Sequence, residues 1–81
     1  MNNSNQTVYN RIKLYRIAAN LSREELAKLA EVNFQTIGYL ERQEYNPSLT
    51  LALRLAQIFE VKVEDLFSLN PFESILPTKS N

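Results

Sequence analysis

The segment from Asn33 to Arg42 carries polar and aromatic side chains that suit contact with the edges of nucleic-acid bases. A glutamine amide such as that of Gln35 can bond an adenine edge in two places. The ring of Phe34 can contact a thymine methyl group, and the Tyr39 hydroxyl can reach either a base edge or a phosphate. The segment therefore indicates a surface for double-stranded DNA.

Composition excludes most catalytic chemistry. The chain has no cysteine and no histidine, so it lacks a thiol nucleophile, an imidazole base and the usual soft metal ligands. The neighbouring acids Glu24 and Glu25 have no nucleophile or metal ligand near them in the sequence, and they stand where acids cap a helix. We therefore expect no enzyme activity, no catalytic residue, no metal, no cofactor and no small-molecule ligand.

Length and composition indicate one small globular domain. The chain has 81 residues, of which 44% are hydrophobic and 22% are charged. It lacks the basic start and apolar stretch of a signal peptide, and no run of about 18 apolar residues could cross a membrane. We therefore expect a cytoplasmic protein. Because so small a core is marginal alone, we also expect a partner chain.

Charge is distributed unevenly although it sums to zero. Residues 1–30 carry five basic and two acidic residues, a net charge of +3, and residues 31–81 carry four basic and seven acidic residues, a net charge of −3. A zero sum argues mildly against nucleic-acid binding, because Lys and Arg supply most non-specific affinity for DNA. The basic first part makes the distribution more informative than the sum.

Apolar spacing and capping residues predict five short helices, at about 8–19, 23–30, 34–42, 49–59 and 63–67. Residues 1–7 read as a flexible tail, 8–68 as the domain, and 69–81 as an irregular tail. The second helix starts at a capping box formed by Ser22 and Glu25, and Asn33 is predicted to cap the third. Two helices joined by a three-residue turn let the latter one enter the major groove.

The periodicity of the third helix separates two faces. Ile37 and Leu40 are predicted to point inward, and Ala27 must be small because the third helix crosses it closely. The predicted outward residues are Asn33, Phe34, Gln35, Gly38, Tyr39 and Arg42.

The run Leu21-Ser22-Arg23-Glu24-Glu25-Leu26-Ala27 is followed at family spacing by Val32, Thr36-Ile37, Leu40-Glu41-Arg42 and Asn46-Pro47-Ser48. This pattern resembles the Xre-type helix-turn-helix family, which includes the Cro proteins and phage repressors. The match covers roughly residues 10–67. It implies an all-α, compact five-helix, lambda-repressor-like DNA-binding domain. The implied function is a sequence-specific transcriptional regulator, more often a repressor than an activator, that binds a palindromic operator as a homodimer.

The resemblance also implies roles for individual residues. Phe34, Gln35 and Tyr39 match positions that read bases, and Arg23, Asn33 and Asn46 match positions that hold phosphates. Thr36 and Arg42 complete the predicted DNA-binding set, and we expect Arg42 to contact a phosphate. Arg16 and Glu41 match a buried ion pair that joins the first helix to the third. Alternatives remain open: Phe34 could fold against the second helix, Tyr39 could be merely solvent-exposed, and Arg23 and Arg42 could be solvated charges.

Four residues depart from the family pattern. The family usually has Gly where Glu31 stands, and a left-handed backbone there costs another residue about 1–2 kcal/mol. Gln43 replaces a loop Gly, Arg23 replaces a frequent Gln, and Phe34 stands where polar or basic residues are common. The DNA sequence preference is therefore not transferable from the family.

The C-terminal tail is apolar although prolines interrupt it. Its apolar residues could cover a second stripe on the first helix formed by Leu14, Ile17 and Ala18, or they could cross to a second protomer. The predicted dimer interface comprises Phe67, Leu69, Phe72, Ile75 and Leu76. Zero net charge and Phe34 favour a rival interpretation, a protein-interaction module or antitoxin-like partner with little DNA affinity.

Overall fold

The structure, a computed structural model, describes residues 7–73. Its elements in chain order are β1 (Tyr9–Asn10), α1 (Ile12–Ala18), α2 (Arg23–Ala30), α3 (Phe34–Glu41), α4 (Leu49–Phe59), α5 (Val63–Leu66) and β2 (Phe67–Ser68). The predicted all-α architecture of five helices is confirmed, with one two-stranded sheet added to it. Of the tail predicted at residues 1–7, residues 1–6 lie outside the described part of the chain.

Serine side chains fix the starts of α2 and α4. The Ser22 hydroxyl accepts a hydrogen bond from the Glu25 amide at 3.0 Å, and the Glu25 carboxylate accepts one from the Ser22 amide at 2.7 Å. The Ser48 hydroxyl accepts from the Leu51 amide at 3.1 Å. Each bond satisfies a backbone donor that a helix start leaves unpaired. Both predicted starts are confirmed.

The start of the first helix was predicted wrongly. Residues 9 and 10 are extended and pair antiparallel with residues 67 and 68, so α1 begins at Ile12 instead of at residue 8. The Arg11 amide donates to the Leu66 carbonyl at 2.9 Å and continues the pairing into α1. Phe67 belongs to the same sheet and not to the fifth helix. That helix therefore ends at Leu66, one residue earlier than predicted.

Every helix contributes to one core. The fully buried side chains are Ile12 of α1, Leu26 of α2, Ile37 and Leu40 of α3, Leu55 of α4 and Leu66 of α5. Helices α2 and α3 share the most extensive packing, and Ala27, only 3% exposed, lies between them as its small size predicted. The longest helix among residues 7–73, α4, has 11 residues, and none there could span a membrane.

Left-handed backbone follows four of the five helices. The residues are Asn20 (φ 63°), Glu31 (φ 62°), Gln43 (φ 61°) and Glu60 (φ 59°). The left-handed conformation predicted at Glu31 is confirmed. Helix ends favour glycine in this conformation, because other residues bring Cβ close to the backbone there. Each position therefore stores a small strain.

We expect Glu31→Gly to raise the free energy of unfolding by about 1 kcal/mol, because it removes the Cβ from a left-handed position. Lys28→Gly serves as a control, because Lys28 is exposed and helical in the same helix. That substitution should lower stability by about 1 kcal/mol. Thermal unfolding followed by circular dichroism measures both. A Glu31→Gly variant that melts below the parent protein would contradict the strain at Glu31.

Candidate nucleic-acid interface

Helix α3 has one buried and one exposed side. Ile37 and Leu40 are fully buried. Gln35 is exposed, and Phe34 and Tyr39 are 47% and 48% exposed. Since aromatic rings of this size usually bury most of their area, their exposure on one helix marks the surface as available for contact with another molecule.

A shallow depression of about 160 Å³ lies on this surface. Its lining residues are Arg23, Phe34, Gln35, Gly38, Tyr39 and Arg42. Five of the eight residues of the predicted DNA-binding set therefore meet in one place. The basic groups come from the start of α2 and from the residue that ends α3, and the amide and rings come from α3 itself.

The other three predicted DNA-binding residues lie outside this depression. Asn33 precedes α3 and is exposed, but its side chain makes no capping hydrogen bond, contrary to the prediction. Thr36 is half-buried. Asn46 is exposed in the loop before α4. The exposure of Asn33 and Asn46 leaves both side chains accessible for contacts with a phosphate backbone.

Phe34 lies between two surface depressions. It lines the one on α3 and also a second, of about 360 Å³, together with Glu24, Ala27, Lys28, Val32 and Asn33. One side of Phe34 therefore borders α2, and the other borders the surface that carries Gln35. The two alternatives for this side chain, packing against α2 and facing outward, thus each describe part of its environment.

The Glu41 carboxylate binds two arginines. Arg16 Nε lies 2.6 Å from Glu41 Oε2, and Arg23 Nε lies 3.0 Å from Glu41 Oε1. The Glu41 side chain is 2% exposed, that of Arg16 is 11% exposed, and that of Arg23 is 43% exposed. Arg16 also donates to the Leu21 carbonyl at 3.0 Å. The predicted partners Arg16 and Glu41 are thus in contact, and they belong to a network of three charges.

Arg23 therefore has two roles. It pairs with Glu41, which the sequence did not indicate, and it lines the surface that the sequence predicted to bind DNA. One part of its guanidinium is held by Glu41 at the end of α3. The residue also lines the exposed depression, where a nucleic acid would approach. Because the two residues are 18 positions apart, no local pattern indicates their contact.

Gly38 is a correction to the predicted outward face. It is buried, and the atoms that cover it belong to Arg42 of the same helix end. The Arg42 guanidinium lies back along α3, with its central carbon 5.3 Å from the centre of the Tyr39 ring. Arg42 Nε is 3.3 Å from a carboxylate oxygen of Glu44, and both side chains are about half exposed. Arg42 thus belongs to the surface of α3 and does not extend away from it.

Three polar residues that no sequence motif singles out stabilise the scaffold of the site. The side-chain amide of Asn10 donates to the Leu40 carbonyl at 2.7 Å. Arg11 donates through two nitrogens to the Asp65 carbonyl, at 3.0 and 2.8 Å. Arg54 donates to the Ala30 carbonyl at 3.0 Å, at the end of α2. All three are polar groups bonded to backbone carbonyls, so only the tertiary structure reveals their partners.

The described part of the tail contacts its own chain. Phe67 is half-buried and packs against the core. Phe72 is half-buried and lies under Arg11, whose central guanidinium carbon is 4.4 Å from the ring centre. Leu69 is 60% exposed, and Leu14 and Ile17 remain 43% and 57% exposed. Ile75 and Leu76, also predicted at a dimer interface, lie outside the described residues.

Comparisons with known proteins agree with this geometry. Residues 12–66 match the helix-turn-helix family HTH_3. An HTH-type transcriptional regulator from Archaeoglobus fulgidus is 49% identical over 57 residues, which are 70% of this chain and 80% of that protein. One from Methanocaldococcus jannaschii is 48% identical over 58 residues, 72% of this chain and 88% of that protein.

A solved structure has the same fold. The restriction-modification controller protein C.AhdI from Aeromonas hydrophila superimposes with a TM-score of 0.64 and 33% sequence identity, over 68% of this chain and 83% of that protein. The predicted lambda-repressor-like fold is thereby confirmed. The matched proteins are regulators of transcription and not enzymes. The chain belongs to the Xre-type helix-turn-helix family of DNA-binding transcriptional regulators.

Proposed function

We propose that the protein is a repressor that binds a roughly palindromic operator as a homodimer, with α3 of each protomer in the major groove. The observation that carries the proposal is the exposed depression on α3. There, amide and aromatic side chains suited to contact with nucleic-acid bases lie beside positively charged arginines. Gln35 and Phe34 would read base edges, and Arg23, Asn33 and Asn46 would hold phosphates. Thr36, Tyr39 and Arg42 complete the proposed contact surface.

The dimer supplies the symmetry of the operator. A two-fold axis would place two copies of α3 in successive major grooves about 34 Å apart. Support comes from Leu69, a residue of the predicted interface whose side chain remains 60% exposed. Sedimentation equilibrium of the full chain should show a dimer, and Leu69→Asp should shift it towards monomer. A monomer at tens of micromolar for the unaltered chain would contradict this.

Selection from random-sequence duplex DNA at two salt concentrations tests the whole proposal. We expect enrichment of a symmetric motif, with affinity that falls as salt rises, because phosphate contacts release counterions. Absence of enrichment at low salt, with the protein folded by circular dichroism, would contradict sequence-specific DNA binding.

We expect Gln35→Ala to relax the preference for adenine at one position of each half-site, by about 1–3 kcal/mol of discrimination. The other positions of the motif should keep their preference. Gln57→Ala is the matched control, because Gln57 is an exposed glutamine on α4. Competition binding with single-base variants of the selected motif measures the effect. A uniform loss of affinity for all sequences would remove Gln35 from the base-reading set.

A protein-interaction module is the second candidate function. Charge pairing favours it, because Arg23 and Arg42 in the depression each lie within ion-pair distance of a carboxylate, at 3.0 and 3.3 Å. Such pairing lowers the positive potential that draws a protein to DNA. A folded chain that enriches no DNA motif would favour this candidate.

A further inference from the structure

Gly38 is the single glycine of the chain, and it lies in the middle of α3. Its backbone is not left-handed, so the position does not require a glycine's conformational freedom. Glycine inside a helix lowers stability relative to alanine. The four left-handed positions, where glycine would relieve strain, hold Asn20, Glu31, Gln43 and Glu60 instead. Backbone conformation therefore does not explain this glycine.

The space above Gly38 is taken by Arg42. A Cβ atom at position 38 would lie 3.1 Å from Arg42 Nη1, which is closer than most Cβ contacts in proteins, and 3.8 Å from Arg42 Cζ and Nη2. These are the three nearest atoms that it would meet. An added side chain at this position would therefore require Arg42 to move by a few tenths of an ångström, before it met any atom of a facing helix.

Arg42 is held in this position from two sides. Its guanidinium lies over the Tyr39 ring, at a distance where a cation and an aromatic face attract each other. Its Nε faces the Glu44 carboxylate. Within residues 7–73, no hydrogen bond engages Nη1 or Nη2, so both terminal nitrogens can still donate. Arg42 lines the same depression as Phe34 and Gln35.

The placement of Arg42 beside Tyr39 and Glu44 suits binding to a pair of neutral acceptors better than binding to a phosphate. Glu44 offsets the charge of Arg42, and attraction to phosphate depends on that charge. The guanine edge in the major groove presents two neutral acceptors, O6 and N7, which match the fork of an arginine.

We infer that Gly38 is a specificity-determining residue: it leaves room for Arg42 to lie along α3 and present two donors to a guanine edge. The inference rests on the proposed function, because it assigns a base to the same surface. Gly38 acts through Arg42 and is a positioning residue, and Arg42 makes the contact.

The test compares the full chain with Gly38→Ala, Arg42→Ala and the double variant, by motif selection and competition binding. The unaltered chain should prefer guanine at one position of each half-site. Arg42→Ala should lose about tenfold of that preference and keep the rest of the motif. Gly38→Ala should lose the same preference while its melting temperature rises by about 4 °C. The double variant should show no further loss.

Three results would overturn the inference. Gly38→Ala could keep the guanine preference, which would show that Arg42 does not need the space. Arg42→Ala could weaken all sequences equally and reduce the salt dependence, which is the signature of a phosphate contact. Gly38→Ala could weaken binding further in the Arg42→Ala background, which would mean that DNA itself approaches the glycine.

A measurement on the free protein separates this inference from the proposed function. Nuclear magnetic resonance should show contacts between the Arg42 side chain and the Tyr39 ring, and Gly38→Ala should weaken them. Their absence from a protein that binds its motif would overturn the inference alone. If the unaltered chain binds no duplex, both the proposed function and the inference fail.

Discussion

Replacing Glu41 by alanine is expected to lower the free energy of unfolding by about 3–5 kcal/mol. The Glu41 side chain is 2% exposed and lies against two arginines. Its removal would leave the Arg16 guanidinium, 11% exposed, without its counter-charge. Domains are stable by only about 5–15 kcal/mol, so this loss is a large fraction of the total. Urea unfolding followed by circular dichroism measures it.

Glu44→Ala is the matched control for this substitution. Glu44 also faces an arginine, at 3.3 Å, but its side chain is 53% exposed. Exposed ion pairs contribute about 0–1 kcal/mol, so the control should lose little stability. Replacing Arg16 and Glu41 together by apolar residues should recover most of the loss, because no buried charge then remains unpaired and Arg23, at 43% exposure, stays hydrated. Equal losses in the Glu41 and Glu44 variants would rule out burial as the cause.

The second large effect is expected at Ile37, whose truncation to alanine should lower stability by about 2–5 kcal/mol. Ile37 is fully buried and anchors α3 to the core. The substitution removes apolar contacts and leaves a cavity that the neighbouring helices can fill only in part. Thermal unfolding at low protein concentration provides the measurement.

Ile17→Ala is the control for Ile37→Ala, because it deletes the same atoms from a side chain that is 57% exposed. Its cost should be a few tenths of a kcal/mol, as at most surface positions. A comparable loss at both positions, independent of protein concentration, would contradict the assigned burial. A loss at Ile17 that appears only as the protein concentration rises would instead place that side chain at the dimer interface.

Local signals accounted for most of the helix starts. Ser22 and Ser48 cap α2 and α4 through hydrogen bonds that span three residues, and a sequence displays such spacing directly. The start of α1 has no comparable signal, because its position depends on pairing with β2 near the far end of the described chain. Contacts between distant segments therefore caused the main error in the fold.

The residues of the candidate site also fall into two groups, those whose exposure the sequence pattern predicts and those whose placement it does not. Helical period alone separated the buried Ile37 and Leu40 from the exposed Phe34, Gln35 and Tyr39. The direction of a long side chain is not periodic, and so Arg42 could not be placed from its position in the chain. The path of the Arg42 side chain along α3 depends on the space that a glycine leaves at position 38 and on the contact with the Tyr39 ring.

Asn10 connects strand β2 to the end of helix α3. Its backbone pairs with Phe67, the first residue of β2, and its side chain bonds the Leu40 carbonyl in the last turn of α3. Any movement of the tail that repositions β2 therefore has a direct mechanical connection to α3. By thermodynamic linkage, if self-association through the tail strengthens operator binding, the operator strengthens self-association by the same factor. Cooperative assembly on DNA would then need no effector domain.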